Sequence, residues 1–370
     1  MTSSTLYGER LSAVQSELGR CSASLLVVGL SSSMRYLTGF TDEPGERLLV
    51  LLIPREGEPG FVVPELYAEQ VLTATGLARN FVWADHEGSH HALAAALKDV
   101  ARWPGPVLVE ESLWSEFLLA CQRALPQHAF SSATPILAKL RMRKDAHEVE
   151  LLRRAGAIAD EAFRRVLETP FAGRTEIEIA AALADAMRDA GADGTAFEPL
   201  VASGPAAALP HYRAGGRRIA RGDVVILDYG CRTGGYRSDI SRTVVCGEPS
   251  REIRAAHDAV RDAQQRAVNA VKPGVAAEEI DRTARDALTS RGLGDRFIHR
   301  TGHGVGLDIH EPPYIVAGNK TLLEPGMVFS VEPGVYFPER FGVRIEDVVV
   351  VSESGSVPMT AATHELLIVG

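Results

Sequence analysis

The chain has 370 residues, 45% of them apolar, and a formal net charge of −9. This length and composition predict a globular protein of about two domains. The negative balance argues against a general nucleic-acid-binding surface. No stretch of the sequence approaches the roughly eighteen apolar residues of a membrane span, and its start lacks the apolar segment of a signal peptide, so we expect neither.

The first part of the chain, up to residue 138, alternates short apolar runs with segments of helical periodicity. This pattern predicts a small α/β layer domain, with strands at 24–30, 47–54, 60–64 and 106–110 and helices at 65–75 and 90–101. We see no catalytic set there. His86, His90 and His91 lie close together in sequence, and we interpret them as a polar helix start rather than a metal site.

A domain boundary is predicted between 138 and 139, where a loop-like segment is followed by a charged run that opens a long helix. The second part, 139–370, groups helices against hairpins, which is typical of an α+β domain. Its predicted helices are 145–168, 176–190, 251–271 and 277–291, and its predicted strands are 223–230, 236–246, 326–334 and 341–351. Thr175 is the expected N-cap of the second helix.

Five residues of the second part form a candidate ligand set: Asp228, Asp239, His303, Glu332 and Glu346. Four carboxylates and one imidazole suit divalent ions such as Mn²⁺, Co²⁺ or Zn²⁺. So much negative charge would be used fully by two ions about 3.5–4 Å apart, as in two-metal hydrolases.

The spacing of the four carboxylates predicts two facing pairs. A hairpin symmetric about Thr233 and Gly234 would set Asp228 directly opposite Asp239. A pairing centred near Glu339 would set Glu332 opposite Glu346. Like charges that face each other across strands are destabilising unless a cation lies between them, so both pairs favour a metal site.

The cysteines indicate a reducing compartment. Cys21, Cys121, Cys231 and Cys246 form no Cys-x-x-Cys pair and no dense framework, so we expect free thiols in a cytoplasmic protein. Cys231 would need a partner that stabilises its thiolate to act as a nucleophile, and we interpret it as a packing residue.

The motifs resemble one family in content and order. The segments MRYLTGF, LRMRKDAHEVELL, FEPLVASGPAAALPHY, LDYG, SDISRT, GHGVGLDIHE, EPGMVFSVEPGVY and VRIED resemble the pita-bread metallopeptidases, in particular the Xaa-Pro branch of prolidase and aminopeptidase P. The resemblance implies an α/β N-terminal domain, an α+β pita-bread catalytic domain, two divalent ions with Mn²⁺ preferred, an Xaa-Pro peptide substrate and a homodimer.

Residue roles follow from the same resemblance. Asp228 is expected to bind one ion and His303 one, Asp239 and Glu346 to bridge both, and Glu332 to bind an ion and take part in proton transfer. His211, His299 and His310 resemble substrate-contacting residues, and Tyr336 and Arg344 match positions near the site. Taken alone, each histidine would more often be structural, and Arg344 would pair with a neighbouring acid.

The sequence leaves open which of three functions the protein has and which residue would bind the substrate carboxylate. A prolidase must bind the carboxylate that follows proline, whereas an aminopeptidase P must leave room for a longer peptide. Arg344 and Arg47 are candidates for that carboxylate, with Arg47 at a solvent-facing strand start as the alternative. A non-peptidase member of the fold, either creatinase-like or a binding module, is the third possibility.

Overall fold

The structure, a computed structural model, describes residues 3–370. It divides into two compact units, Met1–Arg141 and Met142–Gly370. The division falls within the helix Thr134–Met142, three residues after the predicted boundary between 138 and 139.

The first unit is an α/β layer. Its helices are α1 (Ser3–Arg20), α2 (Ser32–Thr38), α3 (Glu65–Thr75), α4 (His90–Val100), α5 (Ser115–Ala124) and α6 (Thr134–Met142). Its strands are β1 (Leu25–Gly29), β2 (Val50–Pro54), β3 (Gly60–Pro64), β4 (Asn80–Trp83), β5 (Val107–Val109) and β6 (Phe130–Ser132), in the order β4-β3-β2-β1-β5-β6. The four predicted strands and two predicted helices are present. β4 and β6 were not predicted from the sequence, because they are only four and three residues long and Trp83 is their one buried residue.

The second unit contains the predicted helices α7 (Ala146–Val166), α8 (Glu176–Asp189), α9 (Arg251–Ala270) and α10 (Ala277–Thr289). Thr175 caps α8 as predicted, since its hydroxyl accepts a bond from the Glu178 backbone N–H while the Glu178 carboxylate accepts one from the Thr175 N–H. Two short 3₁₀ helices, Gly204–Ala208 and Gly294–Arg296, complete the helical segments described.

Its strands are β7 (Gly194–Thr195), β8 (Leu200–Ser203), β9 (Val224–Tyr229), β10 (Cys231–Thr233), β11 (Tyr236–Arg237), β12 (Ile240–Cys246), β13 (Gly302–Gly304), β14 (Glu311–Ile315), β15 (Val328–Val331), β16 (Gly334–Phe337), β17 (Phe341–Arg344), β18 (Glu346–Ser352), β19 (Gly355–Pro358) and β20 (Leu367–Val369). The main sheet runs β14-β13-β15-β18-β12-β9-β8, with β19 paired to β18 and β20 to β12.

Two helix pairs form the core with this sheet. One core joins α7 and α8 to β8, β9 and β12, and another joins α9 and α10 to β15 and β18. Leu227 and Tyr229 belong to the first core. Because side chains alternate along a strand, Asp228 between them projects from the opposite face of the sheet.

The register of the second predicted hairpin is confirmed. Val331 pairs with Asp347, and Gly334 pairs with Arg344. Both pairings have the predicted centre at Glu339, which adopts a left-handed conformation with φ of 60° in the turn. Glu332 and Glu346 therefore occupy opposite positions on the two arms of this hairpin.

The register predicted for the first hairpin is wrong. Asp228 pairs with Ser241 rather than with Asp239, and Thr233 pairs with Tyr236 around a turn at Gly234 and Gly235. Both glycines have positive φ, 56° and 85°, which a two-residue turn of this twist requires at both central positions. The turn therefore lies one residue later than expected, and Asp239 is diagonal to Asp228.

Candidate metal centre and substrate cavity

Five neighbouring strands each supply one residue of the predicted ligand set. In sheet order these are His303 in β13, Glu332 directly after β15, Glu346 at the start of β18, Asp239 directly before β12 and Asp228 in β9. Neighbouring strands are about 4.8 Å apart, so β13 and β12 would be about 14 Å apart in a flat sheet. Curvature of the sheet and the reach of the side chains close this gap.

Ligand-type atoms of Asp239, His303 and Glu346 all lie within 4.8 Å of one another. The His303 Nε2 atom is 3.3 Å from Glu332 Oε1 and 3.7 Å from Asp239 Oδ2. The other ring nitrogen, Nδ1, is 3.1 Å from the Gly304 carbonyl oxygen. Because a carbonyl only accepts, Nδ1 carries a proton, and Nε2 is the ring atom that faces the carboxylates and would bind a metal ion.

The carboxylates perturb one another strongly. Burial, followed by the charges of neighbouring carboxylates, raises the pKa values of Asp239 and Glu346 well above their usual range. Burial also raises the pKa of Asp228. Burial works in the same direction on Glu332, but the hydrogen bond and charge of His303 outweigh it and lower the pKa of Glu332 to about 2. A divalent cation among these groups would favour the ionised form of all four.

Two oxygens in this cluster fit a metal ion. Asp228 Oδ1 and Glu346 Oε1 are buried, and neither has a hydrogen-bond partner in the part of the chain that the structure describes. A buried carboxylate oxygen without a partner is costly. Their companion oxygens are satisfied, because Arg344 Nη2 donates to Asp228 Oδ2 at 2.5 Å and the Ser241 hydroxyl donates to Glu346 Oε2 at 2.7 Å. The unused oxygens are thus available to cations.

A second layer of polar groups orients the set. Arg344 is buried and also donates from Nε to the Ser241 hydroxyl at 2.9 Å and from Nη1 to the Tyr336 hydroxyl at 3.0 Å. The Ser330 hydroxyl lies 3.2 Å from Glu332 Oε1 and accepts a bond from the His303 backbone N–H. The sequence analysis missed Ser241 and Ser330, although both stand within two residues of a predicted ligand in the sequence.

The ligand set lies at the base of a cavity of about 680 Å³, within the usual range for small-molecule sites. His211 and His310 line it and are exposed. Among residues 3–370 as described, neither ring has a hydrogen-bond partner within the protein. The His310 ring packs edge-on against His303 with centroids 4.3 Å apart. Burial, then the charge of His303, lowers the pKa of His310 to about 4, so the ring is neutral at pH 7.

His299 also lines the cavity, but both of its ring nitrogens have protein partners. Nδ1 is 2.7 Å from the Arg300 carbonyl oxygen, and Nε2 is 2.9 Å from the Tyr336 hydroxyl. This pattern links His299 through Tyr336 to Arg344. A direct catalytic role for His299 stays a prediction.

The segment that carries His211 is tethered on both sides. The Pro210 carbonyl accepts a bond from Arg344 Nη1 at 3.2 Å. On the other side, the buried Glu176 carboxylate accepts bonds from the Tyr212 hydroxyl at 2.8 Å and the Gly215 backbone N–H at 3.1 Å. The sequence contained no signal for the tether at Glu176, because it depends on the packing of α8 beside a distant loop.

The segment that carries His310 is held by a buried ion pair. Lys144 Nζ lies 2.6 Å from Glu311 Oε1, and both side chains are almost fully buried. A Cβ atom at Gly306 would come within 2.5 Å of Glu311 Oε1. Glycine in the segment after His303 therefore lets the backbone pass close to this carboxylate.

Arg47 and Cys231 were also singled out from the sequence. Arg47 belongs to the first unit, where its guanidinium pairs with Asp85 and Glu46 at 2.9 Å. Cys231 is buried, and burial raises the pKa of its thiol to about 11, which agrees with a packing role. All four cysteines are free thiols. In the described part of the chain no helix is long and apolar enough to span a membrane.

Family models match both units. Residues 150–353 match metallopeptidase family M24, and residues 10–143 match the creatinase/prolidase N-terminal domain. The chain belongs to metallopeptidase family M24. The pita-bread fold expected from the sequence and the assignment as a metallopeptidase are thereby confirmed, and membership of this family implies divalent metal ions.

Similar proteins within this family include dipeptidases and an aminopeptidase. It is 40% identical over 368 residues, 98% of its own length and 97% of the relative's, to the probable dipeptidase PepE of Mycobacterium tuberculosis. The crystal structure of recombinant prolidase from Thermococcus sibiricus superposes with a TM-score of 0.94 at 38% identity, covering 98% of this chain and 99% of that one. The X-Pro aminopeptidase from Thermotoga maritima gives 0.85 at 31%, covering 97% and 99%.

Proposed function

We propose that the protein is a two-metal Xaa-Pro dipeptidase. The observation that carries the proposal is that five neighbouring strands each have one predicted ligand on them or directly beside them. Two buried carboxylate oxygens of this set also have no hydrogen-bond partner in the described part of the chain. The greater likeness to a prolidase than to an X-Pro aminopeptidase supports the dipeptidase over the longer-peptide enzyme.

In this proposal Asp228, Asp239, His303, Glu332 and Glu346 hold two divalent ions. Mn²⁺ is preferred by the oxygen-rich set, and Co²⁺ or Zn²⁺ would substitute. When bound, such ions lower the pKa of water and polarise a carbonyl oxygen. Asp239 and Glu346 are the carboxylates assigned to bridge both ions, and Ser241 and Arg344 fix the orientation of Glu346 and Asp228.

The remaining steps belong to residues that face the cavity. Glu332 lines the cavity, where it would face the attacking water and the departing prolyl nitrogen. We assign it the proton transfer between them. His310 and His211 are assigned hydrogen bonds to the scissile carbonyl and the proline residue. A neutral His310 can donate one N–H to the oxyanion that develops on that carbonyl.

The decisive experiment compares peptides and metals on the purified protein. Ala-Pro should be cleaved, while Ala-Ala and Ala-Pro-Gly should be cleaved much more slowly. Chelation should abolish cleavage, and added Mn²⁺ should restore it together with about two ions per chain by elemental analysis. Robust cleavage of Ala-Pro-Gly would favour an Xaa-Pro aminopeptidase. Full activity without metal would exclude the proposal, and no metal and no peptidase activity would indicate a non-peptidase member of the fold.

We also propose a homodimeric protein of the cytoplasm. The dimer rests on the family resemblance, and light scattering on the purified protein tests it. The compartment is supported by four free thiols without a disulfide. Cell fractionation tests the location.

A further inference from the structure

One arginine of the cavity has no ion-pair or hydrogen-bond partner for its guanidinium among the described residues. Three arginines line it, Arg213, Arg300 and Arg344. Arg344 is buried and donates to Asp228, Ser241, Tyr336 and Pro210. The side chain of Arg213 is 90% exposed and lies 4.0 Å from Glu198, so it faces solvent. These two arginines are therefore poorly suited to bind a charged ligand in the cavity.

Arg300 differs from both. Its side chain is partly buried, and its guanidinium carbon lies 4.6 Å from the centroid of the Tyr314 ring. Within the described residues, the guanidinium has neither an ion-pair nor a hydrogen-bond partner. Contact with an aromatic face positions an arginine without using its N–H donors, so these donors remain available.

Two observations place Arg300 beside the metal-ligand set. Tyr314, on which the guanidinium lies, pairs directly with His303 across β13 and β14. Arg300 also lines the same cavity as His303 and His310. Its guanidinium is therefore close to the groups that would surround a bound dipeptide.

We propose that Arg300 binds the free carboxylate of the dipeptide's proline and so selects dipeptides over longer peptides. The inference rests on the proposed function. A carboxylate that enters the cavity loses water, and its burial without a cation is expensive. Arginine can pair with both of its oxygens at once. Arg344 cannot take this role, because its donors are already engaged.

The test compares two substrates that differ only in the charge to be recognised, Ala-Pro and Ala-Pro amide. Arg300→Ala in the metal-loaded enzyme should raise KM for Ala-Pro about 10- to 100-fold, the usual value of a hydrogen-bonded charge pair. KM for the amide should change by less than about two-fold, because it has no carboxylate to lose. Metal content and kcat should stay close to wild type, and Arg300→Lys should recover part of the loss.

Arg296→Ala is the matched control. Arg296 is also stacked on an aromatic ring, that of Phe337 at 5.4 Å, but it does not line the cavity, so its removal should affect neither substrate. Arg47→Ala tests the alternative raised by the sequence. If it reproduces the selective loss while Arg300→Ala does not, the carboxylate site belongs to Arg47 and our assignment is wrong.

The remaining outcomes also test the role assigned to Arg300. An equal effect of Arg300→Ala on both substrates, or no effect, overturns the assignment but leaves the proposed function intact. Failure of the wild type to cleave any Xaa-Pro dipeptide overturns both. If the amide is cleaved too slowly to measure, inhibition by L-proline and L-prolinamide supplies the comparison, and Arg300→Ala should weaken only L-proline. Arg300→Gln serves as a second variant if the alanine variant does not fold.

Discussion

The metal-ligand set and the three histidines that line the cavity are held by different kinds of structure. These histidines, His211, His299 and His310, are called the rim histidines below. Each of the five ligands lies in a paired strand or directly beside one. His211, His299 and His310 lie outside the strands, in segments tethered by a few side-chain bonds. Ionised carboxylates repel one another, so a hydrogen-bonded sheet is well suited to hold four of them close together. Under the proposed function these histidines contact substrates of different shape, and loops allow this adjustment.

The comparison predicts that a substitution in the metal-ligand set removes metal from the protein. Asp239→Asn should lose at least one ion and lower kcat by a factor of about 10³ or more, because an amide cannot supply the charge of a bridging carboxylate. Elemental analysis and kinetics with Ala-Pro measure both effects. Asp185→Asn, at an exposed ion pair on α8, is the control and should behave as wild type. Full metal content in the Asp239 variant would contradict the bridging role.

A change in the rim should instead lower turnover and spare the metal. His310→Ala is expected to reduce kcat about 10²- to 10⁴-fold, the usual contribution of a positioned proton donor, with both ions retained. His211→Ala should act in the same direction. The exposed His90 on α4 provides a control substitution, His90→Ala. Loss of metal from either rim variant would place that histidine among the ligands and erase the distinction.

A smaller effect should come from the tether of the His211 segment. Tyr212→Phe removes the hydroxyl that donates to Glu176 and should lower kcat/KM about two- to ten-fold, as expected for one hydrogen bond. The metal content should be unchanged. If the tether acts only through His211, the same change in a His211→Ala background should add nothing. A full additional loss in that background would show that Tyr212 acts independently of His211.

A histidine outside both regions should affect stability alone. His257 in α9 is buried, and burial followed by the charge of Arg261 lowers its pKa from 6.5 to about 4. The folded chain keeps this ring neutral, whereas the unfolded chain takes up a proton below pH 6.5. Its contribution to stability is therefore complete above pH 6.5 and is lost as pH falls towards 4.

Denaturant unfolding at pH 7 and pH 4 measures this effect. Relative to wild type, His257→Leu should gain about 3 kcal/mol of unfolding free energy between the two pH values. Titrations of the carboxylates are common to both proteins and cancel in the difference. A pH-independent difference would mean that the pKa of His257 is the same in the folded and the unfolded chain.

Much of this molecule was predictable from the order of its residues. The apolar runs of the first unit became β1, β2, β3 and β5, and the helical segments became α3 and α4. The register of the hairpin around Glu339 was predictable because its two arms keep one register along their whole length. The register of the other hairpin was predicted wrongly because the turn in the Arg-Thr-Gly-Gly run was placed one residue too early. Asp228 therefore pairs with Ser241 and not with Asp239.

The sequence by itself determined the residue types of the ligand set, because a metal-binding group of four carboxylates and one histidine can be read without coordinates. Only the tertiary structure decided that these five lie on or directly beside neighbouring strands, although residues 228 and 346 are far apart in the chain. The same holds for the pairing of Lys144 with Glu311, the tether at Glu176 and the contact of Arg300 with an aromatic ring. Such contacts depend on strand order and sheet curvature, which arise from packing of the whole domain and not from any local pattern.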